Sequence, residues 1–519
     1  HFYRNFRVIQ NYDQLADSNW VISRQEFFYD ARDGRKTLIG HTIAVHSRHE
    51  IEPAYPPRFF SNELRRIEDD AYDRDTLFWN STRPVTLKPA EKVFIHVQDS
   101  IRLYHNSEPY LREQDSIANR ITFWDVAVNG VGYRNRSKGT SIFVMSLLQS
   151  VRPFSVGGYH HALGGSYEKE WSKAQKIDTR GEVDYGFANN IVKGFGRVAY
   201  LYRPKQFARL YVKGGDTYSM INSYESVAAT FSRSNYVHKR FYGVGHEIEL
   251  VNGLFLDVST EYAQRKPITD LKLAQWSQDL FGDSLNNPQN FTPYSEVLLE
   301  VKVDFTPAQQ YFTEPYKKII VGSKYPTFSL HYKKGVNKLM NSDVDYDFLQ
   351  LSMTDEMKLG TMGESKIAIF TGKFLRSYDI RLVDQKFFRG SDYFFYSNPL
   401  KSFQLLGPTL STRKSFVQAH YIHHFNGSIL NKIPLLKRLH MTSVGGASLL
   451  MIDDVSTLSG EMFRHGEAYV GLEKEFVLWR QLMKVGAYYV AADSNHSKMD
   501  STFKFGIDFF NSFTNEWSY

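Results

Sequence analysis

The sequence predicts an all-β protein whose main part is a transmembrane antiparallel β-barrel of about 16 strands. Aromatic residues make up 15% of the 519 residues, although only 42% are hydrophobic. From about residue 140 onwards, apolar and polar residues alternate, and tight turns are interspersed with long polar loops. A membrane barrel combines these features, because only alternate residues of each strand face lipid and aromatic side chains collect at both membrane surfaces.

The composition excludes several other classes of protein. No run of 18 apolar residues occurs, which excludes a transmembrane helix. The absence of cysteine excludes disulfides and thiol chemistry. The net charge of +7 is spread along the chain without a basic block, so we expect no nucleic-acid partner. The first residues lack the layout of a secretory signal, and we expect the chain to be the remainder of a longer precursor.

Residues 1–56 are predicted to be the end of a periplasmic β-rich domain. They contain three short alternating runs, Asn5–Asn11, Trp20–Phe28 and Thr37–His46, separated by turn-forming residues. Prolines close the segment between Pro53 and Pro57.

Residues 57–137 are predicted to be a charged and helical linker near the barrel mouth. Pro89 stands in the first turn of a predicted helix, a position that favours proline. Apolar residues follow at spacings of three and four and form one stripe, which should pack on a neighbour: Phe94, Val97, Ile101 and Tyr104. Residues 105–137 show only weak patterning and are expected to be a polar connection.

Residues 138–519 are predicted to form the barrel. The segment Val297–Phe305 alternates strictly, so its polar members, Glu300, Lys302 and Asp304, are candidates for lumen-facing positions. A water-soluble sandwich would show the same alternation. The strand lengths of about 9 to 11 residues favour a barrel, because a tilted strand of that length crosses a bilayer. Tight turns such as Asn252–Gly253 and long loops such as 265–293 also favour it.

The stretch 413–451 organises this region. Two predicted strands, Lys414–Phe425 and Leu439–Met451, flank a connector that is both apolar and basic. Its cations Lys432, Lys437 and Arg438 are candidates for contact with lipid phosphates or with a partner. An ordinary solvated turn is the alternative interpretation.

Several stretches resemble a Bacteroidota outer-membrane family of unknown function, whose full-length members begin with a carboxypeptidase-regulatory-like domain. The most specific is His423–Leu436, and Trp79–Leu87 with Glu91 and Tyr185–Phe187 support it. The barrel of that family is distantly similar to the BamA-type insertase superfamily, which carries a loop with an Arg-Gly-Phe-like motif inside the lumen.

The comparable stretch here is Phe388-Arg389-Gly390-Ser391, which departs from that motif at Ser391. The resemblance implies that Arg389 and Gly390 fold into the lumen and that Arg389 pairs with a wall carboxylate. The alternative is an arginine solvated on an outer loop.

Signals for catalysis or metal binding are weak, and the sequence predicts no catalytic, cofactor-binding or metal-binding residue and no enzyme. On a strand, His420 and His424 share one face while His423 takes the other, so three ligands do not converge. The sequence has no Gly-x-Ser-x-Gly elbow, and its His-Glu pairs lack the second histidine of a zinc protease.

We therefore expect a non-enzymatic, BamA-like protein of the cell outer membrane that assists membrane biogenesis or is a subunit of an outer-membrane complex. Its expected partners are outer-membrane lipid, either lipopolysaccharide or phospholipid, and proteins of such a complex. The alternative is a porin-like solute channel whose polar lumen includes Glu300, Lys302 and Asp304. A lumen hydrolase ranks third.

Overall fold

The computed structural model describes residues 2–15, 19–33, 36–57, 59–71, 73–171, 173–222, 233–272, 279, 287–391, 393–406, 410–453, 462–478, 481–495, 497–511 and 516–518. The chain divides into two compact units, residues 1–110 and 111–519. None of the helices among the described residues has the length and apolar composition needed to cross a bilayer.

The first unit begins with a three-stranded antiparallel sheet in which the second strand is central. Each predicted alternating run overlaps one of these strands. The elements of this unit are β1 Phe2–Gln14, β2 Trp20–Asp33, β3 Lys36–Val45, β4 Glu63–Arg66, α1 Thr76–Thr82 and α2 Pro89–His105. The predicted helix is confirmed as α2, with Pro89 as its first residue and Glu91 accepting a hydrogen bond from the backbone N–H of Lys88 at 2.8 Å. Its apolar stripe is solvent-exposed among the described residues.

The expectation of a plain connection over residues 105–137 was wrong, because this stretch contains helix α3, Glu108–Ala118. Polar side chains fix its position. Asp115 accepts hydrogen bonds from the backbone N–H of Arg136 at 2.8 Å and from its guanidinium at 2.9 Å. Asn119 exchanges two hydrogen bonds with the backbone of Arg134. Polar contacts of this kind leave no period in the sequence.

The second unit is dominated by one large antiparallel sheet. In chain order its remaining elements are β5 Val131–Asn135, β6 Thr140–Val144, α4 Leu147–Ser150, β7 Val151–Ser155, β8 Gly158–Glu170, β9 Lys176–Gly186, β10 Ile191–Arg203, β11 Ala208–Met220, β12 Tyr236–Val251, β13 Leu254–Lys266, β14 Tyr294–Phe305, β15 Gln310–Thr313, β16 Lys318–Gly322, β17 Thr327–Gly335, β18 Asp345–Lys358, β19 Glu364–Asp379, β20 Lys386–Phe387, β21 Ser411–Thr412, β22 Phe416–His424, α5 Pro434–Lys437, β23 Thr442–Ile452, β24 Phe463–Leu478, β25 Gln481–Ser494, β26 Ser497–Asn511 and β27 Glu516–Ser518. A π-helical turn spans Asp125–Asn129, and short 3-10 segments include Leu382–Asp384 and Leu430–Lys432.

Neighbours in the sheet are mostly neighbours in sequence. Two pairs skip a hairpin: β14 pairs with β17, and β19 pairs with β22. The skipped hairpins are β15–β16 and β20–β21. Strands β6 and β7 both pair with β8, so they occupy one strand position interrupted by α4.

The predicted two-residue period is confirmed and divides the sheet into two faces. In β26, Phe503, Phe505 and Ile507 are exposed, whereas Lys504 and Asp508 between them are buried. We call the apolar, exposed side the outer face. The opposite side, which carries Lys504 and Asp508 and is largely polar and aromatic, is the inner face.

Because successive strands alternate in direction, their connections fall on two rims. One rim carries mostly tight connections, such as Asn252–Gly253 and 359–363, and we call it the short-turn rim. The other carries the long connections 221–235, 267–293 and 380–415 and is the long-loop rim. The connector 425–441, which joins the predicted strands now seen as β22 and β23, lies on the short-turn rim.

Candidate functional site

The connection 380–415 forms the candidate site, and we call it the plug. It leaves β19 at the long-loop rim and folds over the inner face before it enters β22. Its described residues, 380–391, 393–406 and 410–415, contact strands on several parts of the sheet. These contacts include apolar packing, ion pairs and hydrogen bonds to the backbone.

An apolar core joins the middle of the plug to the inner face. Phe388 and Phe403 are 1% and 0% exposed, and they pack against aromatic and aliphatic side chains of six strands. Those wall residues are Tyr294, Leu298, Tyr346, Phe348, Phe374, Phe416, Leu450, Ile452 and Phe463. Burial of aromatic groups at about 25 cal/mol per Å² is the main source of stability for such a contact.

Glu467 of β24 binds the plug through backbone groups. Its carboxylate accepts hydrogen bonds from the N–H of Gln404 at 2.5 Å and of Leu405 at 2.6 Å. His465 lies 2.9 Å from the same carboxylate. Glu467 is only 3% exposed, so these bonds form away from water, where they are strongest.

A stacked pair of tyrosines forms a second attachment. The ring of Tyr396 in the plug lies parallel to that of Tyr488 in β25, with 3.7 Å between the centroids. Tyr488 lies flat on the wall in a space left by three glycines, Gly471, Gly486 and Gly506. A Cβ atom at any of these positions would come within 3.0 Å of the tyrosine side chain. Its hydroxyl donates to Glu473 at 2.8 Å, which fixes the ring as a platform.

Asp384 attaches the start of the plug to a different part of the wall. Its carboxylate accepts a hydrogen bond from the hydroxyl of Tyr346 in β18 at 3.0 Å. The ammonium of Lys333 in β17 lies 3.3 Å from the same oxygen. The plug is therefore attached on both the β17–β18 side and the β24–β25 side of the inner face.

One segment of the plug also reaches the edge of β26. The N–H of Phe505 donates to the carbonyl of Phe394 at 2.8 Å, and the N–H of Tyr396 donates to the carbonyl of Phe505 at 2.9 Å. Lys504 donates to the carbonyl of Phe395 at 3.4 Å. Phe394 and Phe395 are exposed beside the outer-face aromatic residues of β26.

The predicted loop residues Arg389 and Gly390 lie within the plug. Gly390 is buried, and the carbonyl of Arg389 accepts a hydrogen bond from the N–H of Phe403 at 2.8 Å. Burial lowers the pKa of the Arg389 guanidinium below its ordinary value. The wall carboxylate Glu467 binds backbone N–H groups of Gln404 and Leu405, whereas pairing of Arg389 with a wall carboxylate stays a prediction.

Lys386 is a second half-buried cation of the plug. Its ammonium lies 5.4 Å from the ring centroid of Phe416 and 5.9 Å from that of Phe388. Desolvation lowers its pKa to about 8. Seating of the plug therefore disfavours the protonated form of Lys386 relative to the neutral amine.

The three candidate lumen-facing residues lie in β14, at the alternate positions that also carry Leu298 of the plug core. Lys302 and His331 lie 3.4 and 3.6 Å from carboxylate oxygens of Glu300, and Ser329 donates to Asp304 at 2.5 Å. These contacts are consistent with a polar inner face, and a role in conduction stays a prediction.

The structure does not bring the basic connector to the plug. Lys432, Lys437 and Arg438 are exposed on the short-turn rim, whereas the plug enters from the opposite rim. Exposed apolar side chains accompany these cations: Ile429, Ile433, Leu436 and Leu439.

The three neighbouring histidines have separate partners. His420 bonds Gln418 and Ser448 at 2.6 and 2.9 Å on the inner face, beneath Phe403. His423 bonds Ser365 at 2.7 Å, and His424 lies 3.3 Å from Glu473.

Sequence reasoning missed Glu467, Tyr396 and Tyr488. An acidic residue on a predicted strand looks like any other polar residue that faces the lumen. The sequence therefore gives no sign that Glu467 binds the plug. Glycines at Gly471, Gly486 and Gly506 in successive predicted strands were a usable signal, because such a gap in a wall accommodates one bulky ring.

The fold is similar, at low sequence identity, to that of several solved structures. BamA from Haemophilus ducreyi lacking POTRA domains 1–3 matches with a TM-score of 0.40 and 9% identity, over 93% of this chain and 90% of that one. Pseudomonas aeruginosa OccK3 (OpdO) matches with a TM-score of 0.32 and 11% identity, over 76% and 97%. Wzi of Escherichia coli, an outer membrane protein involved in group 1 capsule assembly and a carbohydrate-binding β-barrel, matches with a TM-score of 0.30 and 8% identity, over 70% and 76%.

No curated protein matches the sequence. One family model does, and it covers residues 124–459, which is more than half of the chain. The chain therefore belongs to the family of unknown function described as the DUF5686 C-terminal domain.

Proposed function

We propose that this chain is a non-enzymatic outer-membrane β-barrel with a plugged lumen, which assists outer-membrane biogenesis or is a subunit of an outer-membrane complex. The observation that carries the proposal is the plug. It is attached to the β17–β18 side through Asp384, to β24 through Glu467 and to β25 through Tyr396. A pore that conducts steadily needs an open lumen, whereas a barrel that serves assembly does not.

Three features support a barrel in the outer membrane. The large sheet consists mostly of consecutive antiparallel strands, as the wall of such a barrel does. The outer face exposes apolar and aromatic side chains, and the inner face carries charged ones. Tight turns on one rim and long loops on the other are typical of outer-membrane barrels, whose short turns face the periplasm.

This orientation favours one of the two predicted lipids for the connector. The short-turn rim would face the periplasm, where the leaflet consists of phospholipid, so Lys432, Lys437 and Arg438 would meet phospholipid phosphates. In proteoliposomes, replacing all three by Gln should reduce photo-crosslinking of the connector to a phospholipid with a photoreactive headgroup. Unchanged crosslinking would indicate that the connector is an ordinary solvated turn.

The resemblance to the Bacteroidota family supports a proposed division of the chain into three segments. Residues 1–56 would be the end of a periplasmic carboxypeptidase-regulatory-like domain, 57–137 a linker and 138–519 the barrel. The second unit begins earlier, at residue 111, and includes the Asp115 and Asn119 contacts that fix α3 to β5 and its turn.

The second candidate function is a solute channel. Charged pairs on the inner face of β11–β13 favour it, because they are only partly buried and could line a water-filled path. Examples are Lys213 with Glu261 at 2.7 Å and Arg209 with Glu247 at 3.5 Å.

Single-channel recording in planar bilayers distinguishes the two functions. The plugged barrel should be nearly silent, and deletion of residues 385–410 should produce large steady currents. Large steady currents from the intact chain would favour the channel. Co-purification from native membranes in mild detergent tests whether the chain is part of a complex. A chain that always purifies without other proteins would contradict this.

A further inference from the structure

A cavity of about 740 Å³ lies on the outer face of the sheet and crosses strands β9 to β14. We call it the outer groove. It is separate from the plug, which packs on the inner face, and its volume is within the range of pockets that hold a ligand. Most of the side chains that line it are apolar or aromatic and share the outer face by strand register: Val198, Val212, Tyr242, Val244, Tyr262 and Val297.

Glycines form part of the floor of the outer groove. Gly181, Gly196 and Gly214 are paired directly across β9, β10 and β11, and all three line the groove. A Cβ atom at Gly196 would meet nothing within 4 Å, so the space above this glycine is open. Glycine in the interior of a strand lets a ligand approach the backbone closely. The floor is therefore a depression in the wall, one side chain deep.

A loop of the long-loop rim overhangs one end of the outer groove. The connection 336–344 joins β17 to β18, and the N–H of Val336 donates to the carbonyl of Val297 in β14 at 2.9 Å. The apolar tip of this loop, Leu339 and Met340, lines the groove. The end of the groove at β14 is thus bounded by a wall that stands out from the sheet.

Among the described residues that line the outer groove, no charged group points into it. Three lining residues are cationic, Arg180, Arg197 and Lys213, but the strand register places their side chains on the inner face. There Arg197 lies 3.6 Å from Glu247, and Lys213 lies 2.7 Å from Glu261. These three residues contribute backbone to the groove, which therefore suits a hydrocarbon rather than a polar ligand.

The outer groove is long and narrow. It crosses six neighbouring strands, and five spacings of about 4.8 Å give a length of about 24 Å. Its width is small, because β11 lines it with the outer-face residues Val212 and Gly214, and β12 with Tyr242 and Val244. This shape matches an extended hydrocarbon chain and not the broad face of a second barrel.

We propose that the outer groove binds an acyl chain of lipopolysaccharide, which enters at the β14 end beneath Leu339 and Met340. The proposal rests on the proposed function, which places the outer face against acyl chains and the long-loop rim at the outer leaflet, where lipopolysaccharide lies. Val297 stands near the long-loop end of β14, whereas Tyr242 stands further from that end of β12. A chain from the outer leaflet would therefore enter at Val297 and run towards Tyr242 and the glycines.

Native mass spectrometry of the folded chain in detergent, titrated with lipopolysaccharide or phosphatidylethanolamine, tests the groove. Gly196→Leu fills the open space of the floor and should weaken binding of the first lipopolysaccharide by about tenfold, because several methylene groups lose their contacts. Gly466→Leu is the matched control and should leave this step nearly unchanged. Gly466 lies on the outer face of β24 opposite Leu449, outside the groove, and a Cβ atom there also meets nothing within 4 Å.

A second variant leaves the wall intact. Leu339→Ala/Met340→Ala shortens only the exposed tip of the loop and should weaken the same binding step by about threefold. Lipopolysaccharide bound more tightly than phosphatidylethanolamine, and weakened by both groove variants but not by the control, would support the proposal. Equal binding of the two lipids would overturn the assignment to lipopolysaccharide.

The groove itself would be refuted if folded Gly196→Leu and Gly466→Leu bound lipopolysaccharide equally. A dimer that Gly196→Leu dissociates would also refute it, because a second copy would then occupy the groove. Because the readout uses a folded barrel in detergent, this failure is distinct from that of the proposed function, which would appear as a chain that does not fold in detergent or fractionate with the outer membrane.

Discussion

The attachment of the plug through Glu467 makes a quantitative prediction. Glu467→Gln keeps the shape of the side chain but removes its charge and replaces one acceptor oxygen with a donor NH₂ group. The carboxylate accepts two backbone N–H bonds from Gln404 and Leu405, and the amide can accept only one of them. A hydrogen bond to a buried charge contributes about 1.5–3 kcal/mol.

We therefore expect the substitution to weaken seating of the plug by about 3 kcal/mol. At 1.4 kcal/mol for each factor of ten, the unseated fraction should rise about 150-fold. In planar bilayers, a nearly silent wild type should become a barrel that opens in frequent bursts. The bursts should have the conductance of the variant that lacks residues 385–410.

Two further variants separate plug release from damage to the wall. Tyr396→Ala removes both the stack on Tyr488 and a buried aromatic side chain, and it should produce bursts at least as frequent, because such a truncation costs about 3–5 kcal/mol. Glu261→Gln removes an inner-face carboxylate whose partners are the wall residues Lys213 and Lys239, and it should stay silent. Silence of folded Glu467→Gln, or equal bursting of Glu261→Gln, would refute the reasoning.

Three other predictions follow from buried groups. The pKa of Lys386 is lowered to about 8 when the plug is seated. Between about pH 8 and the ordinary lysine pKa, the seated state therefore binds fewer protons than the released state. The seated state gains stability as the pH rises through this range. Openings should fall about tenfold between about pH 7 and pH 9, and Lys386→Met should abolish this dependence. Arg265→Met leaves Glu296, which is 0% exposed, without its ion-pair partner at 2.7 Å. It should lower the free energy of unfolding by about 3–5 kcal/mol, as measured by urea titration in vesicles. A decrease of less than about 1 kcal/mol would contradict a buried pair. Gly486→Ala places a methyl group against the ring of Tyr488 and should cost about 1–3 kcal/mol in the same titration, and adding Tyr488→Ser should recover part of the loss if the clash is the cause.

The periodicity of the sequence was sufficient to predict strands such as β14 and β26 and their two faces. Phe503, Phe505 and Ile507 alternate with Lys504 and Asp508 in the sequence and on the sheet. This works because side chains of an extended chain alternate sides whatever surrounds them, so the pattern is local. Turn residues such as Asn252–Gly253 are equally local and gave the hairpin between β12 and β13.

The helix α3 and the plug were beyond such reasoning for the same physical cause. The position of α3 depends on Asp115 and Asn119 meeting a turn and a strand some 15 to 21 residues away. These contacts leave no periodic trace in the sequence.

By itself, the sequence determined where the two-residue period runs, which side of each such strand is apolar, and that an Arg-Gly segment stands in a long connection. Only the tertiary structure decided that this connection folds over the inner face, and that Glu467 and Tyr488 hold it there. The physical reason is that alternation depends on neighbours in sequence, whereas the plug depends on residues more than 60 positions apart, Gln404 with Glu467 and Tyr396 with Tyr488, brought together by strand pairing.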